Sequence, residues 1–193
     1  MDIRQALFTY RSYTPIPFIV AMLIFAKPNL WSMIIGLAIA LAGELTRLWG
    51  VSYTGSETRT TGPVGGSRLV TSGPFAYVRN PLYVGNILMY TGFGVMSMAL
   101  FPWLLIGAVI FFVVQYYLII TAEEEYLAKA FPEQYKDYFK RVPRFIPSLR
   151  PYSKAKQSKT ECSVKEGLES ETRTLQAFGL LTIALLAIWY LRG

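Results

Sequence analysis

The sequence has no histidine, so the commonest general base and the commonest metal-ligating side chain are both missing. It has a single cysteine, Cys162, which excludes an internal disulfide and leaves one free thiol in a polar stretch. Charge is scarce as well. Only 16% of the 193 residues are Asp, Glu, Lys or Arg, against about a quarter in an ordinary soluble domain. Those charges leave long apolar runs untouched, and 53% of the chain is hydrophobic. A water-soluble globular class is thereby excluded, and one compact integral membrane unit is expected. The net charge of +7 then reads as basic residues that hold loops on the cytoplasmic face, not as a nucleic-acid surface. The opening Met1-Asp2-Ile3-Arg4 has no small-residue cleavage site after an apolar run, so no signal peptide is expected. Residues 3–13 are predicted to form a short interfacial helix.

What is present is a set of apolar runs of membrane length. Five are drawn, at 11–27, 30–49, 82–101, 102–121 and 175–191, the first short and opened by Pro15 and Pro17. Spans of about 17 to 25 residues cross a bilayer as helices, because only a helix or a closed barrel satisfies its backbone there. The expected fold is therefore all-α: an integral membrane bundle of about five transmembrane helices with a cytoplasmic amphipathic helix. With the N-terminus inside, 1–15, 47–80 and 121–174 become cytoplasmic. Every Lys and Arg then falls inside or at an inner helix end, apart from Lys27 and Arg192. The protein is expected to be multi-pass, with its active face cytoplasmic. The amphipathic helix is placed at 122–141, where Leu127, Phe131, Tyr135 and Tyr138 recur at helical steps; Pro132 predicts a kink or break. Residues 1–150 form the expected membrane domain. Residues 151–174, rich in Lys, Ser and Glu, read as a flexible linker, and 175–193 as a C-terminal helix that folds back or pairs with a second copy in a homodimer.

Three clusters carry chemistry. Glu44 and Arg47 lie three apart on one helix and are expected to pair, as a structural ion pair or as the wall of a polar cavity. In Gly73-Pro74-Phe75-Ala76-Tyr77-Val78-Arg79-Asn80-Pro81-Leu82-Tyr83-Val84-Gly85, a turn leads into a helix opened by proline. The free N–H groups of that helix start, with Arg79 beside them, suit an anion; the competing reading is positive-inside anchoring with belt aromatics at Tyr77 and Tyr83. Glu123-Glu124-Glu125 is either the solvated start of the amphipathic helix or an acidic group for ribose hydroxyls or an amino group.

The run Leu69 to Gly85, followed by Glu123-Glu124 with Leu127, Phe131, Tyr135, Tyr138, Val142 and Ile146-Pro147, resembles the isoprenylcysteine carboxyl methyltransferases, which belong with the membrane phospholipid N-methyltransferases. The resemblance covers about 43–147. It implies S-adenosylmethionine as cofactor and a lipid or isoprenoid-like acceptor that enters from the bilayer. It places Arg68, Leu69, Val70, Phe75, Tyr77, Asn80, Pro81, Leu82, Tyr83 and Glu123 around the cofactor, with Arg79 and Glu124 as the catalytic candidates. Two positions depart from the family pattern. Asn80 stands where the family usually has histidine, and cannot titrate. Ile119 stands where the carboxyl methyltransferases tend to carry arginine, so a carboxylate acceptor would miss that cation. Without histidine, a hydroxyl or protonated amine acceptor would need Glu44, Glu57, Glu124 or its own phosphate as base. The alternatives are an NADPH-dependent membrane reductase of the same superfamily and a homologue that keeps the fold without activity.

Overall fold

The structure, a computed structural model, describes residues 3–55, 68–154 and 161–192. Seven α-helices and no strand are found among them: α1 Ile3–Tyr10, α2 Ile16–Ile24, α3 Leu30–Thr54, α4 Pro81–Ser97, α5 Trp103–Ala130, α6 Pro132–Arg141 and α7 Val164–Arg192. A short 3-10 turn at Gly73–Ala76 precedes α4. The all-α membrane bundle expected from the sequence is thus the architecture observed.

Three of these helices, α3, α5 and α7, are long and apolar enough to cross a membrane, rather than the expected five. The nine residues of α2 extend only about 14 Å, under half of a hydrocarbon core of about 30 Å. Helix α4, with 17 residues, reaches about 25 Å. The long helices turn large apolar side chains outward: Trp31, Ile34 and Leu45 on α3, Ile110 and Val114 on α5, Leu180 and Ile183 on α7 are all exposed. Such faces are stable against lipid tails and not against water.

The spine of the bundle is α3 against α4, joined through small residues. A Cβ on Gly43 would lie 2.6 Å from the Gly85 carbonyl oxygen, and one on Gly92 would lie 2.4 Å from the Ala40 nitrogen. Backbones approach this closely only where side chains are absent. At one end Met33, Ala40, Met89, Phe93, Met96 and Leu185 close an apolar core. Along the other side of α4, Phe112, Tyr116 and Ile119 of α5 pack with Phe8 of α1.

Two sequence-derived boundaries are corrected. Helix α5 does not stop at Thr121 but continues to Ala130, so the expected amphipathic helix at 122–141 is the tail of α5 plus a separate α6. The break falls at Phe131, since Pro132 has no N–H to continue the ladder and instead opens α6. The stretch read as a linker to residue 174 is helical from Val164. There α7 docks on the end of α3: the Ser163 N–H donates to the Ser52 carbonyl at 2.8 Å, and a Cβ on Gly167 would strike the Ser52 hydroxyl.

Candidate functional site

The segment before α4 is locked in place by backbone bonds to the chain after α6. Arg79 N–H donates to the Pro143 carbonyl at 2.9 Å, Ser148 N–H to Tyr77 at 2.9 Å and Tyr152 N–H to Ala76 at 2.8 Å. Gly73 makes the preceding turn with φ of 59°, and its missing Cβ leaves room for the Tyr53 ring of α3. Asn80 and Pro81 then start α4, and the Asn80 amide donates to the Arg144 carbonyl at 3.2 Å. These contacts hold the α4 N-terminus beside the tail of α5.

Between them opens a cavity of about 1810 Å³. Of the residues the resemblance assigns to the cofactor, Arg68, Leu69, Val70, Phe75, Asn80, Pro81, Leu82, Tyr83 and Glu123 all border it. Tyr77 does not; its ring packs on Trp49, 6.2 Å between centroids. The Tyr83 hydroxyl donates to Glu123 Oε1 at 2.7 Å, so α4 and α5 present a joined phenol and carboxylate to the cavity.

Glu124, one residue on, points elsewhere. It does not border this cavity, and its carboxylate takes Arg79 Nε at 3.0 Å, Arg79 Nη2 at 2.9 Å, and both Nε and Nη2 of Arg144. Arg79 also donates to the Phe139 carbonyl at 2.9 Å and to the Val142 carbonyl, and lies over the Phe139 ring. Arg79 and Glu124 are brought together as a clamp that seats α6 against α5. Burial works against the Arg144 charge, but Glu124 outweighs it and raises the Arg144 pKa. Ile119, where the resemblance led to an expectation of arginine, is fully buried in the α5 apolar cluster and does not border this cavity. Glu57 lies outside the described residues.

The expected Glu44–Arg47 pairing is present only at 4.0 Å. The closer partner is Glu171 of α7, whose two oxygens each lie 2.9 Å from Arg47 Nη2. Arg47 Nη1 donates to Asn86 Oδ1, and the Asn86 amide donates to the Tyr116 hydroxyl at 3.2 Å. Arg47, Asn86, Tyr116 and Glu171 all border the same cavity. Sequence reasoning missed Glu171 because its polar neighbours suggested a linker. The signal was there: Gly167, Glu171, Thr174, Phe178, Leu181, Leu185 and Ile188 recur at alternating steps of four and three, one stripe of a helix. Among the described residues no group of three or more His, Cys, Asp or Glu could hold a metal ion.

A family model described as phospholipid methyltransferase matches residues 31–134. The cobalt-zinc-cadmium resistance protein CzcN of Cupriavidus metallidurans is 36% identical over 118 residues, 61% of this chain and 49% of that protein. The nickel-cobalt-cadmium resistance protein NccN of Alcaligenes xylosoxydans xylosoxydans is 32% identical over 115 residues, 60% of this chain and 48% of its own. The protein-S-isoprenylcysteine O-methyltransferase of Schizosaccharomyces pombe is 40% identical over 83 residues, 42% of this chain and 34% of that enzyme. The chain therefore spans about half the length of the first two relatives and a third of the last. No solved structure matches. Helix α7 lies beyond the matched family region.

Proposed function

The chain belongs to the phospholipid methyltransferase family of membrane methyltransferases, and from that premise we propose that it transfers a methyl group from S-adenosylmethionine to a lipophilic acceptor, at the cytoplasmic face of a multi-pass bundle. The observation that carries this reading is the single cavity in which Tyr83 and Glu123 meet, bordered as well by Phe75, Asn80 and Leu82. Its donor set suits the cofactor. Glu123 offers a carboxylate to ribose hydroxyls or an amino group, and the faces of Phe75 and Tyr83 favour a cation such as a sulfonium. When bound, S-adenosylmethionine supplies an electrophilic methyl group whose carbon bonds to the acceptor as the C–S bond breaks, its electron pair staying on sulfur.

The protein's part is to hold the two reactants in line and exclude water, which at best contributes about 7 to 11 kcal/mol. An acceptor hydroxyl or protonated amine must also lose a proton. Glu123 and Glu171 are carboxylates of the cavity wall: Glu123 accepts from the Tyr83 hydroxyl, and Glu171 is buried beside Arg47. Arg79 and Glu124 fit this scheme as positioning residues, since their charges are spent on each other, on Arg144 and on backbone carbonyls.

Equilibrium titration of the purified protein in detergent with S-adenosylmethionine, and in parallel with NADPH, tests the reading. Binding of S-adenosylmethionine is expected, weakened at least about tenfold by Tyr83→Ala and by Glu123→Ala, which remove the paired hydrogen-bonding groups. NADPH binding without S-adenosylmethionine binding would favour the reductase alternative.

A further inference from the structure

The cavity is layered, and its middle layer belongs to no cofactor residue. Along α4, Asn86 lies one turn beyond Tyr83, about 4.5 Å along the axis, and Phe93 about 15 Å beyond it. Helix α5 runs the other way, from Glu123 to Tyr116 to Phe112. Helix α7 adds Glu171 and, about two and three turns on, Phe178 and Leu181. All of these border the cavity. The layers follow in order: Tyr83 with Glu123; then Arg47, Asn86, Tyr116 and Glu171; then Phe93, Phe112, Phe178 and Leu181.

The middle layer is a built polar site in apolar surroundings. The side chain of Glu171 is 1% exposed and that of Arg47 13%. A buried ion pair is weak support for a fold, since apolar side chains of similar size often serve as well. Helix α7 already has Phe178, Leu181 and Leu185 to pack with. The chemistry of the layer also restricts what it can receive. The Arg47 charge faces Glu171 at 2.9 Å and Glu44 at 4.0 Å. A ligand carboxylate would meet one arginine between two acids. A hydroxyl can donate to Glu171 and accept from the Asn86 amide or a tyrosine hydroxyl with no charge to compensate.

We propose that the Arg47–Glu171 pair, with Asn86 and Tyr116, is the subsite for the polar end of the acceptor, that this end is an uncharged hydroxyl rather than a carboxylate, and that α7 selects it. The acceptor's apolar tail lies in the Phe93–Phe178–Leu181 layer, which leaves its hydroxyl within one to two helical turns of the Tyr83 level. This rests on the methyl-transfer reading for its meaning, but the binding it describes can be measured without cofactor.

The test uses farnesol and farnesoate, which share one chain and differ at the polar end. Their dissociation constants are measured on the full chain in detergent, alongside that of S-adenosylmethionine. The native protein is expected to favour farnesol by at least about tenfold, because like charges repel in the site. Glu171→Gln removes one of the two acids beside Arg47 and leaves Glu44 as its partner; it should shift the preference toward farnesoate, with cofactor affinity changed by less than about twofold. The triple variant Glu44→Gln with Arg47→Leu and Glu171→Leu, which leaves no lone charge of this layer behind, should fold, bind cofactor and lose farnesol at least about tenfold. A native preference for farnesoate, or unchanged farnesol binding in the triple variant, overturns the proposal. Loss of S-adenosylmethionine binding in the native protein would instead count against the methyltransferase reading alone.

Discussion

Adjacent glutamates at the end of α5 do opposite work because successive helical positions point about 100° apart. Glu123 turns into the cavity to take the Tyr83 proton donor, whereas Glu124 turns away from it, buried between Arg79 and Arg144. A smaller residue decides the other polar layer. A Cβ on Gly85 would lie 2.6 Å from Arg47 Cγ and 2.7 Å from the Gly43 carbonyl oxygen. Both contacts are closer than a Cβ tolerates and one of them is α3 backbone, so Gly85→Ala is expected to destabilise by about 1 to 3 kcal/mol, as overpacked cores do. It should also pull Arg47 from Glu171. Gly107 on α5 has nothing within 4 Å, and Gly107→Ala is the control: no loss, or a gain of up to about 1 kcal/mol from helix propensity. Thermal unfolding in detergent compares the two.

Helix α6 is short and polar, and its seat depends on charge at both edges. Asp137 receives the Tyr152 hydroxyl at 2.9 Å, Lys154 at 3.2 Å and Arg141 Nε at 2.9 Å. The Tyr152 hydroxyl first, then Lys154 and Arg141, hold the Asp137 carboxyl down at about 2. In the unfolded chain an Asp titrates near 3.9. A group depressed in the folded state stabilises fully above the unfolded value and loses that contribution as pH falls through the folded one. The difference in unfolding temperature between the native protein and Asp137→Asn should therefore be present at pH 5 and shrink toward pH 2; a difference independent of pH would contradict it. Much of this was readable in the chain. The Pro132 break, the proline start of α4 and the long apolar runs of α3, α5 and α7 follow from backbone chemistry and hydropathy. Helix α2 was overestimated because its flanking apolar residues extend a run that Pro15 and the turn at Phe25 cut to nine residues. Helix α7 was underestimated because charge density near 165–173 masked a stripe that begins at Gly167 and Glu171. The residues proposed for the cofactor came from a family resemblance carried by short motifs, whereas the Arg47–Glu171 pair joins positions 124 residues apart, a distance no local pattern spans.

Across the bundle, three requirements converge on one cavity. The glycine seam brings α3 and α4 close enough for Arg47 to reach past Gly85, the clamp at Glu124 fixes the α5 tail so that Glu123 meets Tyr83, and α7 closes the remaining side. The result is a hydrogen-bonding end, a polar middle and an apolar far end in a single volume, which is what joining a polar methyl donor to a lipophile calls for. Incubation of the purified protein with methyl-labelled S-adenosylmethionine and total membrane lipid, followed by organic extraction, tests this most directly. The account predicts label in a lipophilic product, lost with Tyr83→Ala and with Glu123→Ala. Label that stays entirely in the aqueous phase, with a protein that binds the cofactor and folds normally, would contradict it.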